Sequence, residues 1–206
     1  MEKPTSKRKE REREARREAI LDAAARIFSR KSFFEATLEE IATEAELAKG
    51  TLYNYYKDKP DIFASLMARG QREFQENLEQ SIGQGGGLEA TLRRIFEMSL
   101  RSVSDHKYMF RMIMTAGEHL SENFRSQMMK SWQEQLDIAA GKVAAAFSAM
   151  PETRRLTPEE RMTGAYLVLA SIRSLHQRQM METRVKPISE EVEQYTRLLC
   201  RALRVE

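Results

Sequence analysis

The chain has 206 residues, 41% hydrophobic and 32% charged, enough for one or two packed domains. A net charge of +3 and a pI near 9.0 are too mild for a protein that binds nucleic acid over its whole surface, and a lone cysteine, Cys200, excludes an internal disulfide and favours a reducing compartment. The N-terminus has charge but no apolar core, and no stretch approaches the roughly 20 apolar residues of a membrane span, so a soluble cytoplasmic protein with no membrane partner is expected.

Glycine and proline are sparse and alternating β-branched runs are missing, so the fold class expected is all-α. Residues 1–6, with Pro4 and few apolar groups, are expected to be irregular. Residues 1–17 hold eight Lys/Arg against four Glu, so the other 189 residues sum to −1 and the positive excess is local. From Lys7 to Glu18 the charges alternate, with Glu12/Arg16 at i,i+4 and Glu10/Arg13 and Glu14/Arg17 at i,i+3. This pattern predicts a helix that continues into Ile20, Ala24, Ile27 and Phe28. Both a solvated stem and a group of weak, salt-sensitive phosphate contacts fit it. Phe33 and Phe34, after the helix, are expected to plug a small core.

Next come two short helices joined by a tight turn. Thr37 is a natural N-cap with Glu40 three residues on, and Leu38, Ile41, Ala42 and Ala45 repeat on one face. The break falls at Glu46, Leu47 and Ala48. The second helix, from about Lys49, is expected to bury Leu52 and Tyr56 and to leave Lys49, Thr51, Asn54 and Tyr55 outward. Such a pair reads as a helix-turn-helix, whose second helix enters the DNA major groove. Lys, Thr, Asn and Tyr mix phosphate donors with groups able to read base edges. Lys59, just before Pro60 at the start of the following helix, suits a DNA phosphate better than it suits the helix dipole.

From Ile20 to Met67 the chain reads ILDAAARIFSRKSFFEATLEEIATEAELAKGTLYNYYKDKPDIFASLM. This stretch closely resembles the N-terminal DNA-binding domain of the tetracycline-repressor (TetR) family, most of all in ILDAAARIF, TLEEIA and KGTLYNYYKDKPDIF. Ser32 and Glu46 stand where the family usually has Gly, which implies an altered or strained turn. The resemblance implies that Lys49, Gly50, Thr51 and Asn54 face or closely approach the bases. It places Thr37, Tyr53, Tyr55 and Lys59 at phosphates. Residues 1–60 are then a basic extension and helix-turn-helix domain, and residues 61–206 a helical effector-binding and dimerisation domain.

A helix over 61–82 is expected to run from the first domain into the second and to end at the glycine cluster Gly83–Gly87. That cluster lacks the Lys-Ser/Thr and the preceding strand of a phosphate loop, so it reads as a connection. Helices are predicted over 88–103, over the almost wholly apolar 108–114, and over 121–150. Thr157, Pro158 and Glu160 mark the start of another, to about Met181, and the last covers about 189–203. Both final helices carry apolar residues on more than one face, which fits a partner subunit as well as an internal core. The family resemblance favours a homodimer through about 158–181 and 189–203.

Methionines concentrate in the C-terminal two-thirds, and their flexible side chains suit cavities for apolar shapes. With the resemblance, this predicts a pocket for a small, mostly apolar effector among Phe96, Met112, Met128, Trp132 and Tyr166. Arg111, His119, Asn123, Arg173 and Gln177 are candidate polar orienters. No catalytic residue, metal site or cofactor is expected, because His106, His119 and His176 are scattered and no metal-ligand or nucleophile motif is present. The expected function is a homodimeric repressor of a palindromic operator, released by that effector. An accessory or architectural DNA-binding protein, or an activator on the same fold, is the competing reading.

Overall fold

The computed structural model describes residues 4–105, 121–181 and 187–204. Among these, the regular structure is all helical: α1 Pro4–Arg30, α2 Leu38–Glu44, α3 Lys49–Leu52, α4 Lys59–Gly83, α5 Gly87–Asp105, α6 Glu122–Ser148, a 3-10 turn Pro151–Thr153, α7 Pro158–Met181 and α8 Ile188–Leu203. No described helix is long and apolar enough to cross a membrane. The expected apolar helix over 108–114 falls outside the described residues. Pro4, expected in an irregular tail, instead opens α1, where its fixed φ and missing N–H cost little.

The described residues fall into two compact units, one holding 4–70 and 121–126 and the other 71–105, 127–181 and 187–204. The boundary expected at 60/61 thus lies within the first unit, because α4 is one continuous helix whose first three turns belong to that unit.

The first unit is built on α1, α2 and α3. Ile20, Leu21, Ala24 and Phe28 of α1 are buried, as are Ile41, Ala42, Leu52, Tyr56, Ile62 and Phe63. Of the two expected plugs only Phe33 is buried, 5.3 Å from the Phe63 ring centroid, while Phe34 is 42% exposed. Two adjacent residues of a bent loop point to different sides, so only one can enter.

In the second unit the glycine cluster makes the turn. Gly85, Gly86 and Gly87 all take positive φ, at 68°, 92° and 77°, a conformation open to glycine with little strain. Glu152 then caps α5, its Oε1 accepting the Leu88 N–H at 3.3 Å. α5 contributes Leu88, Leu92, Ile95 and Phe96 to the core, α6 Ala140, Val143 and Phe147, α7 Ala165, Val168, Leu169, Ile172 and Leu175, and α8 Val192, Cys200 and Leu203. α7 begins with the expected box, Glu160 N–H to Thr157 Oγ1 at 3.2 Å and Thr157 N–H to the Glu160 carboxylate at 2.7 Å. Its second apolar face stays uncovered: Met162, Tyr166, Leu167 and Ala170 are all exposed, as are Leu198 and Ala202 of α8.

Candidate nucleic-acid interface

α2 is held at both ends by local chemistry. At its start the Thr37 hydroxyl accepts the Glu40 N–H at 3.2 Å, and the Glu40 carboxylate accepts the Thr37 N–H at 3.0 Å. At its end the Glu46 N–H donates to Thr43 at 3.0 Å and the Leu47 N–H to Ala42 at 2.8 Å. Those two bonds form a Schellman motif, which needs a left-handed residue at its apex. Glu46 occupies that apex with φ 57°, so the departure from Gly changes the energy of the turn and not its path. The strain for a residue with a Cβ is about 1–2 kcal/mol.

The turn delivers α3 with Leu52 and Tyr56 inward and Lys49, Gly50, Tyr53 and Asn54 exposed; Thr51 and Tyr55 are half-buried. A Cβ at Gly50 would meet nothing within 4 Å, and its φ is not positive, so the fold itself does not require glycine there. Lys49 is paired with Glu39 of α2, and this pairing raises the lysine pKa and lowers that of the carboxylate. Both groups are exposed, so the pair can open to other partners.

Two expected contacts are already engaged. Thr37 spends its hydroxyl as the N-cap of α2, though it remains exposed. Lys59, expected at a phosphate, has partners within its own unit. Its ammonium donates to the carbonyls of Phe33 (2.5 Å), Ala36 (2.7 Å) and Phe34 (3.3 Å) and lies 4.6 Å from the Phe33 ring centroid. An ammonium has three protons, and here three carbonyls use them. Burial also holds Lys59 below the usual lysine pKa. It latches the loop before α2 and is not a free phosphate donor. Asp58, passed over in the sequence, caps α4 by accepting the Asp61 N–H at 2.8 Å.

Sequence reasoning also missed Arg17. Its guanidinium donates to the Tyr55 carbonyl at 3.2 Å and sits 4.7 Å from the Tyr56 ring centroid, while the Tyr56 hydroxyl donates back to the Arg17 carbonyl at 3.3 Å. Burial pushes that phenol up to about 12. The available signal was position, since Arg17 is one turn before Ile20 on the buried side of α1.

The expected effector pocket is not assembled by the described residues. Phe96 is fully buried in the core, with its ring 5.8 Å from that of Tyr195. Trp132, Tyr166 and Arg173 are exposed and Met128 is half-buried. Tyr166 donates to Asp137 at 2.6 Å on the outside of the unit. Asn123 and Gln177 are exposed, and Met112, Arg111 and His119 lie outside the described residues. A depression of about 350 Å³ is lined by Glu190, Glu193, Gln194 and Arg197, a charged rim that does not suit an apolar ligand.

Among the described residues of the second unit, Ser99 and His176 form a buried polar pair. His176 Nε2 lies 2.6 Å from Ser99 Oγ and 3.2 Å from the Ser99 carbonyl oxygen, and Ser99 is fully buried. Burial, opposed by the Ser99 carbonyl, holds His176 below its ordinary value of 6.5. The unfolded chain therefore takes up this proton first on acidification. Stability supplied by neutral His176 is complete above the unfolded value and is lost as pH falls through the lower folded one. Denaturation midpoints should thus fall on acidification below about pH 6.5, and His176→Gln should remove that component. An unchanged acid loss in the variant would place its origin elsewhere.

Comparison with known proteins agrees with this geometry. Residues 20–66 match the family model for bacterial regulatory proteins of the tetR family. The chain is 35% identical over 63 residues to the fatty acid metabolism regulator protein of Bacillus subtilis, covering 31% of this chain and 32% of that one. It is 38% identical over 65 residues to the HTH-type transcriptional repressor BepR of Brucella suis, covering 32% and 31%. These matches span about a third of the length of the curated relatives. In fold, the chain is similar to the Bacillus subtilis transcriptional regulator FadR solved in complex with stearoyl-CoA. The TM-score is 0.69 at 18% identity, over 88% of this chain and 96% of that one.

Proposed function

We propose that the chain is a regulator of the TetR family, whose model its residues 20–66 match, and that it acts as a cytoplasmic homodimeric repressor that binds a palindromic operator and leaves it when a small apolar effector binds. The carrying observation is the α2–α3 pair, which sinks Leu52 and Tyr56 and presents Lys49, Gly50, Tyr53 and Asn54. Lys49, Gly50, Thr51 and Asn54 then meet or approach base edges, and Thr37, Tyr53 and Tyr55 meet phosphates. Lys59 is left out of this set because its protons are already used.

The uncovered apolar faces of α7 and α8 support dimerisation through those helices, which would set two α3 helices about 34–36 Å apart on one face of the duplex. The effector part rests on family membership and not on the six residues expected to line a pocket. The fatty acid metabolism regulator relative and the stearoyl-CoA complex of FadR make a long-chain acyl thioester the first probe. α4, whose residues belong to both units, is the element through which occupation would act, and only an effector with different affinity for the two states can shift it.

Selection of duplexes from a random pool, followed by gel shift at moderate salt, tests the first half. No preferred sequence would sink it. On the selected operator Asn54→Ala should change preference at one base step, costing about 1–3 kcal/mol. Stearoyl-CoA should then release the complex, and undiminished binding at saturation would reject this ligand class.

A further inference from the structure

The first half of α1 is a solvated stem of the first unit. Every residue from Lys7 to Arg16 is exposed, and full burial begins at Ile20. Because the helix is unbroken from Pro4 to Arg30, its faces carry through. At about 100° per residue, Arg13 and Arg17 lie on the side that buries Ile20, Ala24 and Phe28, with Lys9 and Arg16 on one flank of it. These four, at i, i+4, i+7 and i+8, span an arc of about 100° that contains no carboxylate. Glu10 and Glu14 fall on the other flank.

The observed ion pairs leave the arc available. Of the pairs expected from spacing only Glu14–Arg17 is formed, at a loose 4.0 Å. Glu12 turns to Arg8 instead of Arg16, at 2.8 Å and outside the arc. Among the described residues, Lys9, Arg13 and Arg16 have no carboxylate within 4 Å. The inner end of the arc is fixed in place, since Arg17 is bonded to the Tyr55 carbonyl in the turn that ends the recognition helix. The basic side of the stem therefore starts beside Tyr55 and Tyr56 and continues outward along the exposed half of α1.

We propose that Lys9, Arg13 and Arg16 form a second DNA contact, lying along the phosphate backbone of duplex that flanks the bases read by α3. The proposal rests on the DNA-binding reading of α2 and α3. Lys9 to Arg17 covers about 12 Å of helix, and duplex DNA carries one phosphate per about 1.7 Å of axis, so several phosphates lie within reach. A preformed helix makes this contact without the cost of ordering a free arm. It adds affinity with no base preference.

The test compares two double variants of the full chain with equal charge loss, Lys9→Gln/Arg13→Gln on the arc and Arg8→Gln/Arg11→Gln away from it. Binding is measured from about 50 to about 200 mM salt, on the selected operator cut to the palindrome and on the same operator with ten flanking base pairs. The arc variant should lose the added affinity of the flanks, and its salt slope should flatten by about 0.9 for each phosphate it no longer neutralises. Its fall in affinity across that salt range should be roughly tenfold smaller per chain, while the selected sequence stays the same. The opposite-face variant should match the wild type. Equal losses in both variants, or no loss in either, would overturn the proposal, as would binding of the stem to anionic vesicles in preference to duplex. If no operator is selected, the reading of α3 fails, and the same comparison on mixed-sequence duplex still decides the fate of the arc.

Discussion

Phe96→Ala should lower the stability of the C-terminal unit by about 3–5 kcal/mol with no ligand present. Its side chain is fully buried in the cluster that joins α5 to α7 and α8, and its ring meets Tyr195. Truncation removes the transfer free energy of the ring and leaves a cavity that helices fixed by their other contacts cannot fill. The chain's one tryptophan, Trp132 on α6, belongs to the same unit and reports its unfolding. Denaturant titration at constant protomer concentration should show a lower midpoint with an unchanged slope. Phe96→Leu, which keeps most of the volume, should lose less than half as much. If Phe96 lined an open effector site, the unliganded protein would barely notice either change and only effector binding would fall.

That contrast shows what the sequence could and could not disclose. Interactions closed within three or four residues were legible: Thr37 with Glu40, Thr157 with Glu160, and the inward Leu52 and Tyr56 of a short helix and the turn that ends it. The strain at Glu46 was legible only through the family resemblance, which puts Gly there, the residue that takes the observed φ of 57° with little cost. Roles decided by distant partners were not. The carbonyls that capture Lys59 lie 23 to 26 residues before it, and nothing in the local pattern announces them. Apolar periodicity gives the same signal for a core and for a pocket wall, so it could not tell that Phe96 packs in the core. On α7 it marked two apolar sides without saying that Ala165, Leu169 and Ile172 would pack while Tyr166 and Leu167 stayed outside.

The second large effect is expected at Lys59. Lys59→Ala should destabilise the DNA-binding unit by about 2–4 kcal/mol before any DNA is added. Three charge-assisted hydrogen bonds would be worth about 1.5–3 kcal/mol each if sealed from water, and partial exposure lets solvent recover much of that. The carbonyls of Phe33 and Ala36 would then lack their donor, and the loop that positions Thr37 for capping α2 would loosen. Amide hydrogen exchange should therefore speed up through α1 and α2, while the Trp132 transition of the other unit stays in place. Operator affinity would also fall, but through the loss of ordered α2 and α3, so the salt slope of binding should hardly change. A direct phosphate contact makes the opposite pair of results: unaltered exchange, and a salt slope flattened by about 0.9 per chain. Lys59→Arg sharpens the distinction. A planar guanidinium keeps the charge that a phosphate needs, but it cannot direct three donors at three converging carbonyls, so it should restore little of the lost stability.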